Sequence, residues 1–211
     1  MRTGIAGILG PCGPLRLARM APDDSIQPDS EGDPNGAAEL SHLTGSGSER
    51  RSHMVDVAGK PATRRRALAR AEVHFPSGVL ERALAGQGPK GPIEEVARVA
   101  GIQAAKRTPE WIPMCHSLAL THADLRLRPV AGRPDCLEIL CEVRCTGPTG
   151  VEMEALVGAS AAALTVIDMT KALSHGIRVG EVRLLEKDGG RSGLYRDPEF
   201  TGESPPRGSG A

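Results

Sequence analysis

Leu137-Glu138-Ile139-Leu140-Cys141-Glu142-Val143-Arg144-Cys145 is the stretch on which the fold turns. Its odd positions are apolar and its even positions mostly charged, the period of two that marks a strand with one buried face. Directly after it, from Val151 to about His175, the chain reads as one long helix. Thr149 and Glu152 stand in the T-x-x-E spacing of a capping box at its start. Gly176 stands where a C-terminal stop belongs.

Working outward, the same alternation recurs upstream. From Ala67, the positions Ala69, Ala71, Val73 and Phe75 are small or apolar and their neighbours mostly polar, which predicts another strand. Ser77 is placed to cap a short helix carrying Val79, Leu80, Ala83 and Leu84. After a loop over Gln87 to Gly91, Pro92 suits the first turn of a helix bearing Ile93, Val96, Ala97, Ala100 and Ala104. Thr108 to Ser117 reads as irregular, broken by Pro109 and Pro113. A strand near 118–128 and a turn from Pro129 to Asp135 precede the quoted stretch, and a last strand covers about 177–186. The order strand, helix, strand, strand, helix, strand predicts an α+β fold. It is that of a ferredoxin-like sandwich, an antiparallel sheet with helices packed on one face. The other face then needs cover, which favours an oligomer.

Composition narrows the function. Lys plus Arg and Asp plus Glu number 26 each, so the formal charge is zero and a nucleic-acid binder is not expected. The longest apolar runs, such as Ala161 to Val166, fall far short of the ~20 residues that cross a bilayer, so no membrane span is expected. The chain has one Trp, one Tyr and two Phe among 211 residues, so its core must be built from aliphatic side chains and many Ala. Such a core buries little area per residue, a second reason to expect association. Five cysteines without a C-x-x-C pair, and no secretory h-region, predict a reduced, cytoplasmic setting.

Residues 1–50 hold clusters such as Asp33-Pro34-Asn35-Gly36 and no sustained period, which predicts a disordered N-terminal extension. Residues 1–22 carry Arg2, Arg16 and Arg19 without an acid, as a transit peptide would, but lack Ser. A translated extension with no fold of its own is the simpler reading. The compact domain is expected over 51–193, and 194–211 is expected to be a flexible C-terminal tail.

Three places carry candidate chemistry. Pro113-Met114-Cys115-His116 is a stiff loop feeding a strand. Adjacent residues on an extended chain point opposite ways, so Cys115 reads as buried filler more readily than as a nucleophile. His116 reads equally as a structural hydrogen-bond partner or a substrate contact. The long helix carries Glu152, which the capping box explains, and Glu154, which it does not. Further along, Asp168 and Lys171 stand at i, i+3, where their side chains can meet. They read either as a surface ion pair or as an acid–base pair in an apolar stretch. Glu154 and Asp168 lie roughly 21 Å apart along the axis, so one small molecule reaches both only if two protomers contribute opposite helix ends. The third place is the pair of basic, glycine-rich loops Pro89-Lys90-Gly91 and Lys187 to Gly193, whose cations and backbone amides suit phosphate. Cys136, Cys141 and Cys145 lack zinc or cluster spacing and read as core residues of a strand.

Taken together, these stretches strongly resemble the MoaC family, which makes cyclic pyranopterin monophosphate in molybdenum cofactor biosynthesis. The resemblance rests on His53-Met54-Val55-Asp56-Val57, on Gly101-Ile102-Gln103-Ala104-Ala105-Lys106-Arg107-Thr108 and on Ile112-Pro113-Met114-Cys115-His116. It rests equally on Thr149-Gly150-Val151-Glu152-Met153-Glu154-Ala155-Leu156, Asp168-Met169-Thr170-Lys171-Ala172 and Gly180-Glu181-Val182-Arg183-Leu184-Leu185-Glu186-Lys187.

The resemblance implies a ferredoxin-like subunit in a homohexamer, a trimer of dimers with sites at subunit interfaces. It implies a phosphorus–oxygen lyase that converts (8S)-3′,8-cyclo-7,8-dihydroguanosine 5′-triphosphate to cyclic pyranopterin monophosphate and diphosphate. Asp168 falls on the family's catalytic aspartate and Lys171 on its nearby functional lysine. Met114, Cys115, His116, Met153 and Glu154 fall on substrate-contacting segments, Lys90 on another functional lysine, and Asp56 in the N-terminal motif. Arg191 stands for a Lys, and Pro92 replaces an acidic residue after Lys90-Gly91. Lys90, Arg191 and Lys106 are candidates to steady the leaving diphosphate. No cofactor and no metal ligand set is expected. The rival reading is a non-catalytic ferredoxin-like module that binds a nucleotide and regulates a partner. A weaker third is a metal hydrolase using Cys115 and His116.

Overall fold

The structure, a computed structural model, describes residues 43–44, 51–87 and 90–200. The rest of the expected extension, the tail beyond 200 and the loop residues Gly88 and Pro89 lie outside the described residues. In chain order the elements are β1 (Leu43–Thr44), β2 (Arg51–Ser52), β3 (Thr63–His74), α1 (Val79–Arg82) and a π-helical turn (Ala83–Gln87). Then come α2 (Ile93–Lys106), α3 (Thr108–Trp111), β4 (Leu120–Val130), β5 (Arg133–Gly147), α4 (Glu152–Thr170), β6 (Arg178–Asp188) and β7 (Tyr195–Arg196).

The architecture is α+β. Five strands form one antiparallel sheet in the order β4-β5-β3-β6-β7, and β1 pairs with β2 separately. The alternation in β3 and β5 sorts their side chains as expected. Ala67, Ala69, Ala71 and Val73 join Leu137, Ile139, Cys141, Val143 and Cys145 in one buried cluster with Ala155, Ala159, Ala162, Ala163 and Val166 of α4. Small buried residues line both helices, so they come close: α2 packs on α4 and β4, and α4 on β3, β5 and β6. Gly101 and Gly158 mark the α2–α4 crossing, where a Cβ on Gly101 would stand 2.8 Å from the Gly158 carbonyl oxygen.

The opposite face of the sheet carries charge, yet much of that charge is buried. Arg66 is 8% exposed and donates to Glu142 at 3.0 Å and to Glu186 at 2.8 Å. Leu68, Leu140 and Leu185 form an apolar island there, with Phe200 packed against it. Phe200 and β7 fall in the stretch expected to be tail, and Leu43–Thr44 in the stretch expected to be extension.

Several local expectations differ from the structure. Ser77 caps nothing: α1 starts after Gly78, which sits at φ 71, and no side chain caps it. Thr108–Trp111 is a helical turn with Pro109 in its first turn, where a missing N–H costs nothing. The turn expected from Pro129 to Asp135 is tighter, because β4 and β5 extend to a Val130–Arg133 pair and Gly132 turns the chain at φ 75. The Thr149–Glu152 capping box does not form, since Val151 is the N-cap residue and no side chain bonds there. Helix α4 ends at Thr170, not near His175, so Gly176 is not its stop. Its 19 residues are long and apolar enough to cross a membrane, which the count of uninterrupted apolar runs had missed. Burial against three strands and α2 makes it the core helix instead.

Candidate functional site

At the N-terminal end of α4 a hollow of about 280 Å³ gathers five of the expected residues, Met114, Cys115, His116, Met153 and Glu154. The stiff loop after α3 reaches it because Pro113 and the Cys115 N–H, bonded to the Ile112 carbonyl, hold a tight turn. His116 donates from Nε2 to the Val55 carbonyl at 2.7 Å, which ties the 53–57 segment to this loop. Val55 and Val57 line the hollow, while Asp56 between them accepts from the Ala58 N–H and lines neither this hollow nor its neighbour. Glu154 is 4% exposed, and burial pushes its carboxyl up to about 6. A carboxyl at that value exchanges a proton near neutrality, which suits acid–base work. Burial first, and then the Glu154 charge, raise the Cys115 thiol, so it stays protonated and is a poor nucleophile or metal ligand.

A second, basic hollow of about 550 Å³ adjoins the first and shares Lys60, Thr149, Gly150 and Glu152 with it. Arg65, Lys187 and Arg191 also line it. Arg65 donates to the Gly147 and Pro148 carbonyls and so fixes the loop entering α4. Gly189 at φ 98 and Gly190 at φ 78 let the basic loop lie flat against β3. A Cβ on Gly189 would stand 2.0 Å from the Arg64 carbonyl oxygen. Four cations around an open hollow are what a chain of phosphates requires.

The third group lies at the other end of α4. The Asp168 carboxylate sits between two ammonium groups, Lys171 at 2.7 Å and Lys90 at 2.5 Å. Hydrogen bonds from Lys171 first, and Lys90 second, lower its pKa to about 2, so it is ionised at any physiological pH. The three side chains are about half exposed, as a surface ion pair would be, but the pair has become a triad reaching across the fold. Asp168 also lines a hollow of about 470 Å³ with Gln103, Arg107, Trp111 and Leu164.

The expected residues therefore fall in two groups at opposite ends of one helix, and one subunit does not unite them. Lys106 is exposed and lines none of the three hollows. Lys60 and Arg65 went unnoticed in the sequence, because a lone cation in a loop or at a strand end carries no pattern. The sequence explains Glu152 as a cap. Its carboxylate instead folds back over Gly150, at the boundary of the two adjoining hollows. Cys136, Cys141 and Cys145 are all buried strand residues as expected; Cys141 and Cys145 face the helices, while Cys136 lies on the opposite face of the sheet beside Glu72 and His74.

The sequence as a whole is similar to known proteins. A cyclic pyranopterin monophosphate synthase from Pelotomaculum thermopropionicum is 51% identical over 156 residues, covering 74% of this chain and 89% of its own length. Another from Chloroflexus aggregans is 49% identical over 162 residues, covering 76% and 95%. Residues 54–190, which hold all the described elements from β3 to β6, match the MoaC family, and the chain belongs to that family.

Proposed function

We propose that this chain is a cyclic pyranopterin monophosphate synthase of molybdenum cofactor biosynthesis. It converts (8S)-3′,8-cyclo-7,8-dihydroguanosine 5′-triphosphate to cyclic pyranopterin monophosphate and diphosphate. The observation that carries this is identity near one half along 89% and 95% of two such synthases. The strand order β4-β5-β3-β6, with α2 and α4 on one face, supports a ferredoxin-like subunit with 51–193 as its catalytic domain. Residues 1–50 are read as its extension and 194–211 as its tail, the start of which pairs with β6 through Tyr195–Arg196 and packs on the sheet through Phe200. Free thiols at Cys115, Cys136, Cys141 and Cys145 are in keeping with a cytoplasmic setting.

The chemistry assigns work to each group. Ring rearrangement moves protons to and from nitrogen and sugar oxygen. Asp168, held ionised, orients the two ammonium groups, and Lys171 donates a proton to the rearranging ring. Glu154 and His116 hold the pterin or sugar, with Met114, Cys115 and Met153 shaping that wall and Asp56 holding the segment behind it. In the last step a sugar hydroxyl loses its proton and its oxygen bonds to the α-phosphorus. The bond from that phosphorus to the bridging oxygen breaks, and diphosphate leaves with the electron pair. Lys60, Arg65, Lys187 and Arg191 lie where they can stabilise that charge.

Because Glu154 and Asp168 stand at opposite ends of α4, the complete site takes one end from each of two copies, and the dimers build a homohexamer. Exposed Val96, Val99, Trp111 and Leu164 on the helical side supply apolar surface for such contacts. The experiment is a diphosphate-release assay with the cyclised nucleotide. Release together with the cyclic monophosphate supports the synthase; binding without release means the regulatory module.

A further inference from the structure

We infer that Glu72, His74 and Cys136 form a site for a borderline-soft divalent cation such as zinc, away from the hollows described above. Their geometry follows from the sheet. Glu72 and His74 stand at i and i+2 on β3 and share a face, and Cys136 of β5 is the direct cross-strand partner of His74. One ligand atom from each lies within 4.8 Å of the other two. His74 Nε2 and Glu72 Oε2 are 3.4 Å apart. Nitrogen and oxygen held at ~2.0–2.1 Å by a tetrahedral zinc stand roughly 3.3 Å from each other, so this edge is already at coordination length. The sulfur needs only a small side-chain shift to complete the triangle, and water takes the fourth position.

The surroundings hold the donors and leave an entrance. Glu72 is 5% exposed and Cys136 is 2% exposed, while the His74 side chain is 29% exposed and opens to solvent. The imidazole lies against Gly180 of β6, where a Cβ would stand 2.3 Å from Nε2. The position thus tolerates the ring only because residue 180 has no side chain. A thiolate, an imidazole and a carboxylate suit zinc more than magnesium or calcium.

The competing occupant is Arg133. Its guanidinium donates to both oxygens of Glu72, at 2.9 Å and 2.6 Å, and the Cys136 thiol also bonds to Glu72. A cation takes one carboxylate oxygen from Arg133, whose side chain is 47% exposed and can turn into solvent beside the hairpin turn. Cys136 loses its thiol proton to water as the metal–sulfur bond forms. Arg133 therefore acts as a built-in competitor, a role that a purely structural ion pair does not have.

The test uses the full chain, freed of metal with a chelator, desalted, and titrated with cobalt(II). One cobalt per chain is expected, with a near-ultraviolet thiolate-to-cobalt band. Cys136→Ser should abolish that band and His74→Ala should weaken binding at least about tenfold, while Cys115→Ser should leave the band unchanged. Arg133→Ala should bind cobalt several-fold more tightly. No thiolate band, a band that survives Cys136→Ser, or an Arg133→Ala variant that binds no better overturns the inference. The readout needs no turnover, so it is separate from the fate of the proposed synthase activity.

Discussion

Lys90 Nζ lies 2.5 Å from Asp168 Oδ2, a contact between residues 78 positions apart. It draws the loop before α2 onto the end of α4 and turns an i, i+3 pair into a carboxylate clamped by two amines. If that triad does the proton transfer, Asp168→Asn leaves both amines without their counter-charge, and Lys171→Ala removes the donor. Each is expected to lower turnover by on the order of 10²-fold or more, with assembly unchanged by light scattering. Near-normal diphosphate release in both variants would remove the assignment.

Glu154 predicts a pH signature of opposite sign. Its carboxyl titrates at about 6 in the fold against an ordinary value of 4.5, because burial disfavours the charged form. The raised value means that folding favours the protonated carboxyl. That contribution is complete below pH 4.5 and is lost as pH climbs through 6. At pH 8 the buried charge costs about 2 kcal/mol. Glu154→Gln should therefore be more stable than the parent at pH 8 by about that amount and equal to it at pH 4. Urea unfolding at the two pH values measures it, and equal stability at pH 8 contradicts the burial argument.

Much of this layout was legible because a period of two is hard to mistake. The alternation at Leu137 to Cys145 places the core face of β5, and the same parity already assigns Cys136 to the other side with Glu138 and Glu142. The T-x-x-E pattern misled because α4 begins at Glu152, so Thr149 sits too early to reach an orphan amide. The Lys90–Asp168 contact had no local sign at all, since only the fold of the intervening chain brings them together. Lys60 and Arg65 reach the basic hollow for the same reason.

The α2–α4 crossing gives a packing prediction. A Cβ on Gly101 would lie 2.3 Å from Leu125 Cδ2 and 2.8 Å from the Gly158 carbonyl oxygen. The carbonyl is backbone and can retreat only if α4 moves, while Leu125 of β4 is fully buried and has other core side chains around it. Alanine gains ~1 kcal/mol in helix propensity over glycine, and overpacking costs about 1–3 kcal/mol. With a backbone oxygen at 2.8 Å the clash wins, and Gly101→Ala should be destabilised by up to about 2 kcal/mol. A melting temperature equal to or above the parent's would show that the crossing is looser than the distances imply.

A site shared between copies predicts complementation. Glu154→Ala and Asp168→Ala each remove one half of the proposed site, from opposite ends of the same helix. When the two inactive chains assemble together at random, half of the pairs are mixed. Each mixed pair holds one site with both defects and one with neither. Activity near a quarter of the parent's is therefore expected from the co-assembled mixture. Each variant alone should stay near zero, and mixing the separately assembled proteins without subunit exchange should give nothing. If co-assembly restores no activity while Lys171→Ala and Asp168→Ala are each inactive, the chemistry runs within one subunit, and Glu154 acts on something other than the molecule held by Asp168.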